Sequence, residues 1–592
     1  MKKHTKRFLS VLLVILVSSL FLFANGIREE IDITVLETSD IHGVIAPFDY
    51  ATGKSQDSGL AQAATIIKQQ RAIDPDLLLC DDGDTTQDNM IQEFRNDDIH
   101  PIVKAMNYLG YDTWTLGNHE WNFEFDNLKR EIAASNATVL AGNVYKADGT
   151  RFLPAYTIKE VKGLKVAIIG LTAPHVTRWE ASNPEHFNNM TFTTPDEELG
   201  KVLDEVEGKA DVVIVTCHYG EDGEYGTTGM YDVADKYADR VDAFLIGHAH
   251  STKAETRESG AVIVEPGSKA SNVAKVTIKV LRDKVTGKVY SKTSTPEMIS
   301  TKGVEADPGL SKEMAYVDIK SKAIADEVVG QVGADFLPSL YWKDLPGIPT
   351  AVCQDTAMMD LINIVQMNIT GADVSLAALF DSSSNLPKGD FKKRDGVKVY
   401  KYDNTLMAVR ITGKQLKAIM EQQAGNYFNT YTPGDVTLSF NPKIRLYNYD
   451  MFAGVDYKID ISKPQGQRIV DVMFKGAPLA DDQVLVLALN NYRYGGLSGS
   501  GMISAAPEDL VYNTGLAVRD SISDYVAQQG TIMPVCDNNW EIIGYDFSDP
   551  AAEEIYQMIR DGKIKLPTSA DGRSINIKAV NANDLRAEGV IK

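Results

Sequence analysis

Between Ile31 and about Ser300, short apolar runs alternate with longer stretches whose apolar residues recur at helical spacing. The runs Ile33-Thr34-Val35-Leu36, Leu77-Leu78-Leu79-Cys80 and Tyr111 to Leu116 are predicted strands, as are Val166 to Ile169, Val212 to Thr216, Ala243 to Ile246 and Ala261 to Val264. Leu60 to Gln70 sets Leu60, Ala64 and Ile67 on one face, and Pro101 opens a helix from Ile102 to Leu109. Short buried strands separated by helices predict an α/β layered domain.

A chain of 592 residues exceeds what one core supports. Pro308 to Val329 predicts a connecting helix, with Leu310, Met314, Val317, Ile324 and Val328 at spacings that share a face. The expected organisation is a first domain over 30–305, a linker helix over 306–330 and a mixed α/β domain over 331–546. In that second domain Asp360 to Ile369 and Gly413 to Gln423 look helical, while Leu406 to Ile411 and Val484 to Leu489 look like strands. A helix (Ala551 to Arg560) and a polar tail fill 547–592.

At the N-terminus Lys2, Lys3, Lys6 and Arg7 precede the apolar run Phe8 to Ala24, and Ala24-Asn25-Gly26 offers small residues for cleavage. Residues 1–26 are therefore expected to be a signal peptide, with a retained membrane anchor as the alternative. Export to the periplasm, the cell surface or the medium follows. The formal net charge of −21 argues against a nucleic-acid polymer as partner. It leaves room for a small anionic substrate, because a local cluster of cations outweighs a diffuse acidic field. The four cysteines form no C-x-x-C pair. Cys80 and Cys217 end apolar runs and are expected to be small buried hydrophobes, and the pairing state of all four is left open.

Five polar clusters end predicted strands: Ser39-Asp40-Ile41-His42-Gly43, Asp81-Asp82-Gly83-Asp84, Gly117-Asn118-His119-Glu120, Cys217-His218 and Gly247-His248-Ala249-His250. The carboxyl edge of an open α/β sheet is where ligands bind. A single histidine is usually a hydrogen-bonded core or surface residue, but five of the nine histidines sit at strand ends here. Carboxylate, imidazole and one amide suit Mn, Fe, Co, Ni or Zn. The set is too large for one tetrahedral zinc, so two ions sharing a carboxylate are expected. Such pairs clamp the attacking and leaving oxygens of phosphoryl transfer.

In this order and setting, Asp-x-His, Gly-Asp, Gly-Asn-His-Glu, a lone His and Gly-His-x-His resemble the motifs of calcineurin-like metallophosphoesterases over about residues 31–300. The resemblance implies a four-layer sandwich of two β-sheets between helices, holding a dinuclear metal centre. By position, Asp40, His42, Asp84 and His250 would hold one ion, and Asp84, Asn118, His218 and His248 the other. His119 would stabilise charge at the phosphoryl group or protonate the leaving oxygen. Asp82 is the alternative to Asp84.

The second domain resembles the C-terminal domain of exported nucleotidases. The likeness rests on Tyr402-Asp403-Asn404-Thr405-Leu406, Ile411-Thr412-Gly413, Asn448-Tyr449-Asp450, Gly454-Val455-Asp456-Tyr457 and Asn490-Asn491-Tyr492-Arg493-Tyr494-Gly495-Gly496. It implies a nucleoside site with the base between Tyr449 and Tyr494, and with Asn491 and Arg493 beside it. Within that family, Trp121-Asn122 stands where 5′-nucleotidases have Phe-Asp, and Phe380-Asp381-Ser382-Ser383-Ser384 stands where they have Gly-Gly-Gly-Ile-Arg. Both features, with Asn-Asn-Tyr-Arg, point to the 2′,3′-cyclic-nucleotide 2′-phosphodiesterase / 3′-nucleotidase branch, although the last loop is one residue short. The expected protein is an exported monomeric phosphoesterase with two divalent ions (Mn, Zn, Fe or Co) and a nucleotide or cyclic-nucleotide substrate. The alternatives are a 5′-nucleotidase or UDP-sugar hydrolase, an exported nucleotide-binding protein without activity, and a thiosulfohydrolase.

Overall fold

The computed structural model describes residues 28–180, 183–224, 226–337, 339–402, 404–569, 572 and 574–592. The expected signal peptide and Asp403 lie outside the described residues. Among those described, no helix is long and apolar enough to cross a membrane. The chain forms two compact units. One runs to Ile319, and the other takes Lys320–Lys592 together with Tyr50–Gly53 and Arg178–Pro184.

The first unit holds two six-stranded sheets. In one, Arg28–Thr38, Leu78–Asp81, Thr113–Thr115 and Thr138–Leu140 run parallel, and Asn272–Asp283 and Val289–Ser300 extend it antiparallel. In the other, Leu164–Leu171, Val212–Cys217, Ala243–Ile246 and Val262–Pro266 run parallel, flanked by antiparallel Tyr156–Val161 and Thr252–Thr256. Side chains alternate across each strand, and the alternation builds two cores. Ile33, Val35, Leu78 and Cys80 meet Val166, Ile168, Ile214 and Leu245 between the sheets. Leu36 and Leu79 point the other way, onto Leu60, Ala64 and Ile67 of the helix Leu60–Ile73 and Ile102 and Met106 of the helix Pro101–Leu109. The helix Pro195–Val206, begun by a Thr194/Glu197 capping box, packs on the second sheet. The layers are helix, sheet, sheet, helix.

The connecting segment differs from the single helix predicted. Asp307 caps a short helix, Pro308–Glu313, through the Leu310 amide. Met314 leaves helical geometry, and a second helix runs Ala315–Ala325. Leu310, Met314 and Val317 are buried as their spacing implied. Val328 instead opens a strand, Val328–Val332, which pairs with Gly389–Lys392. Two β-branched residues followed by Gly330 favour extended backbone over a further helical turn.

The second unit is mixed. A five-stranded sheet is ordered Met451–Ala453, Val374–Ala377, Val484–Asn490, Thr405–Thr412, Leu510–Ala517. A four-stranded sheet is built around Asp456–Asp460 and Ile469–Phe474. The helices Ala357–Thr370, Gly413–Gln423 and Val518–Gln529 share one large core with them.

Candidate metal centre

Each of the five clusters follows a parallel strand of the first unit, so all five emerge at one edge. The Arg28–Thr38 and Leu78–Asp81 pairing continues past the strand ends. Asp40 N–H donates to Gly83 O at 2.9 Å, His42 N–H to Asp84 O at 2.9 Å and Gly43 N–H to Thr85 O at 3.0 Å. Asp40, His42, Asp84, His248 and His250 all have positive φ, between 48° and 77°. Such backbone costs energy for residues other than glycine and gathers at functional sites. Two glycines let the loops touch. A Cβ on Gly83 (φ +88°) would lie 2.2 Å from Gly117 N, and one on Gly247 would lie 2.2 Å from Ser39 Oγ.

The predicted ligands fall into two groups, each with donor atoms within 4.8 Å of one another: Asp40, His42 and His250, and Asp84, His218 and His248. In the first, His42 Nε2 and His250 Nε2 are 3.0 Å apart, and His250 Nε2 is 3.1 Å from Asp40 Oδ1. In the second, His218 Nε2 is 3.0 Å from Asp84 Oδ2. Asn118 Oδ1 joins it, 2.8 Å from His248 Nδ1. Ligand atoms about 2.1 Å from one ion and at right angles around it lie about 3 Å apart. Despite these close approaches, His218 Nε2 and Asp40 Oδ1 are buried without a hydrogen bond of good geometry. Buried polar atoms are seldom left so, and the residues fit divalent cations. His218 Nδ1 donates to the carbonyl of Asp82, which leaves Nε2 as the free donor atom. The Asp82 carboxylate stands outside both groups.

The electrostatics agree. Burial would raise the Asp84 carboxyl, but His218 and His119 outweigh it and hold it well below the usual range. Burial and then His250 press the His42 imidazole down to about 3, so it is neutral and can offer a lone pair. Burial opposes a charge on His218, yet Asp84 and Asp40 pull its pKa well above normal, a sign that the centre attracts positive charge.

His119 belongs to neither group. Its amide donates to Asp84 Oδ1 at 2.7 Å, and its ring lies with Nε2 3.9 Å from Asp84 Oδ2. The side chain keeps 26% exposure, more than most of the donor residues beside it, so it can meet a substrate. Burial opposes its protonation, but Asp84 and then the Asn122 hydrogen bond raise its pKa.

The four predicted nucleoside contacts all have partners within the second unit's own fold. Tyr449 is wholly buried, stacked on Tyr427 at 4.1 Å and met edge-on by Phe428 and Trp540. Tyr494 is buried in the same core. Arg493 donates to Asp450 Oδ1 at 2.9 Å and to the Tyr447 carbonyl at 2.8 Å, while Asn491 Oδ1 accepts the Thr405 amide at 3.0 Å. The motif residues therefore tie their own loops together.

Three contributors escaped the sequence reading. Glu120 accepts the amides of Asp84, Thr85 and Gly117 at 2.7–2.9 Å. Ser39 donates to Asp40 Oδ2 at 2.6 Å. Glu224 approaches His248. Glu120 sat inside a recognised motif, whereas nothing near Glu224 signalled its position.

Two families of known proteins match separate stretches of the chain. The calcineurin-like phosphoesterase family matches residues 33–252, and the 5′-nucleotidase C-terminal domain matches 343–505. A Haemophilus influenzae protein named 2′,3′-cyclic-nucleotide 2′-phosphodiesterase/3′-nucleotidase is 25% identical over 92% of each chain. The trifunctional nucleotide phosphoesterase protein YfkN of Bacillus subtilis is 27% identical over 91% of this chain, which spans 41% of that longer protein. The crystal structure of a Staphylococcus aureus protein described as a putative 5′-nucleotidase superposes with a TM-score of 0.74 at 25% identity, over 86% of this chain and all of the other.

Proposed function

We propose that this chain, which joins a calcineurin-like phosphoesterase domain to a 5′-nucleotidase C-terminal domain, hydrolyses 2′,3′-cyclic nucleotides to 3′-nucleotides and then removes the 3′-phosphate. It is a metal-dependent hydrolase of phosphoric esters. The observation that carries the reading is the pair of donor groups with His119 beside them. In the proposal Asp40, His42, Asp84 and His250 hold one cation, and Asp84, Asn118, His218 and His248 hold the other. The two divalent cations, when bound, supply Lewis acidity toward the phosphoryl oxygens and lower the pKa of water.

The protein's own residues do the rest. His119 carries a proton on Nε2 and gives it to the ribose 2′ oxygen as the P–O2′ bond breaks. Asn122 Oδ1 accepts a hydrogen bond from Nδ1–H and fixes the ring. Water supplies the oxygen that joins phosphorus and gives its proton to solvent, from which His119 is reprotonated before it acts again. In the second reaction the P–O3′ bond breaks and His119 serves the 3′ oxygen. The relatives named for this activity match across most of the chain. The basic-then-apolar N-terminus supports export.

A 5′-nucleotidase is the second reading, favoured by the likeness to the Staphylococcus aureus structure. Phosphate release from 2′,3′-cyclic AMP, 3′-AMP and 5′-AMP by the Mn-loaded protein separates the two. Faster turnover of the first two supports the proposal, and preference for 5′-AMP defeats it.

A further inference from the structure

We propose that Glu224 is a positioning residue for the metal centre, holding His248 by Nε2 so that Nδ1 keeps its lone pair for a cation. This rests on the two-ion reading above. His248 is engaged from both sides: Nδ1 is 2.8 Å from Asn118 Oδ1, and Nε2 is 3.4 Å from Glu224 Oε1. A neutral imidazole has one N–H and one lone pair, and the partner of the far nitrogen selects which is which. A carboxylate can only accept, so Glu224 draws the proton to Nε2. It also makes Nδ1 a better donor to metal. His218 meets the same need differently, through a backbone carbonyl at its far nitrogen. The two imidazoles of one donor group are thus fixed by two unlike devices, and only the Glu224 device can be removed by changing a side chain.

The loop that carries Glu224 is built to hold it. The Glu224 amide donates to Tyr219 Oη at 2.7 Å, and its carbonyl accepts from Thr227 Oγ1 at 2.8 Å. His175 Nε2 lies 3.2 Å from Tyr219 Oη and 3.3 Å from Thr227 Oγ1, closing the loop from a third segment. Tyr219 is fully buried. The turn is too tight for other residues, since a Cβ on Gly223 would fall 1.6 Å from Thr227 O and one on Gly229 would fall 2.3 Å from Glu221 O. The Glu224 side chain itself is 40% exposed, so its removal leaves the core intact.

The test is metal binding by the full-length protein. Wild type, Glu224→Ala and Glu224→Gln are stripped with chelator and titrated with Mn(II) alone, and bound metal is read by elemental analysis and by competition with a chelating dye. Wild type binds two ions. Glu224→Ala weakens one binding event by about 10–100-fold, the scale of losing such a partner, and spares the other. Glu224→Gln keeps an acceptor oxygen and recovers most of that loss. On a His248→Ala background, Glu224→Ala adds nothing further. Wild-type affinity for both ions in Glu224→Ala, equal weakening of both, or additivity with His248→Ala would each overturn the proposal. Fewer than two ions in wild type would instead overturn the two-ion reading on which it stands.

Discussion

His119 donates from Nδ1 to Asn122 Oδ1, three residues along the chain, at 2.5 Å. An amide thus occupies the place of the carboxylate that would stabilise an imidazolium more strongly. Replacing it with a carboxylate makes the His119 proton harder to lose, so the protonated form persists to higher pH. In Asn122→Asp the alkaline limb of the kcat/KM profile moves to higher pH. In Asn122→Ala it moves lower, with a smaller kcat. His119→Ala keeps both ions but loses about 10²–10⁴-fold in kcat, the usual contribution of a general acid. Metal analysis and pH–rate profiles check all three variants, and metal loss in His119→Ala would show the role to be wrong.

Glu120 is a clamp between the two loops that carry Asp84 and Asn118. Its Oε2 accepts from the amides of Asp84 and Gly117, and its Oε1 from that of Thr85. Glu120→Gln turns one acceptor into an N–H group facing N–H donors. Each buried donor left unsatisfied costs about 1–3 kcal/mol, so the expected loss is several kcal/mol and a large drop in Tm. Metal affinity falls with it, because Asp84 and Asn118 are on the two loops being clamped. Thermal melts and metal analysis of Glu120→Gln test this, and an unchanged melt refutes it.

The strand ends and the donor groups that follow them were legible because period and chemistry coincide there. Val212–Cys217 and Ala243–Ile246 are apolar runs followed within two residues by a histidine. The linker was only half legible. Leu310 to Val317 obeyed the helical period, but Val328 fell on it by coincidence and pairs in a sheet. Tyr449 shows a different limit. An aromatic ring beside Asn and Asp reads the same whether it meets a ligand or Tyr427, and only packing tells them apart. Glu224 was invisible because its significance comes from a contact with His248, 24 residues away.

Chelation should affect stability as well as activity. Asp40 and Asp84 are buried among imidazoles, and ions bound to the folded state stabilise it by about 4 kcal/mol when present at about 1,000 times their dissociation constant. Removing metal is expected to abolish hydrolysis and lower Tm by several degrees. Mn(II), Co(II) or Zn(II) should restore both. Restoration of Tm without activity would mean that the ions are structural only.

The second unit has its own acid cluster. Asp355, Asp360 and Cys536 lie with donor atoms within 4.8 Å. Burial, followed by Asp537, lifts the Asp355 carboxyl to about 6, and burial, followed by Asp355, lifts Asp360 to about 7. Folded-state values above the unfolded value of about 3.9 mean that the folded protein binds more protons. The stability this contributes is present in full below about pH 4 and is lost as pH rises through about 6 and 7. Asp360→Asn removes the charge that burial disfavours, so it should raise Tm at about pH 8 and flatten the fall of Tm between about pH 5 and 8. A variant no more stable than wild type at the alkaline end refutes the assignment.

Gly117 has no room for a side chain. A Cβ there would fall 2.3 Å from Asp84 Oδ1 and 2.5 Å from Asp84 N, and neither atom can move freely. The amide is held by Glu120, and the carboxylate oxygen accepts the His119 N–H. Gly117→Ala must therefore push Asp84 away from His218, which now sits 3.0 Å from its Oδ2. Because Asp84 faces both His218 and His119, the variant should lose metal affinity and hydrolysis together. Gly496→Ala is the control, since nothing lies within 4 Å of a Cβ built there. A Gly117→Ala protein that folds, binds two ions and turns over substrate at the wild-type rate would mean that the loops are not packed backbone against backbone at this point.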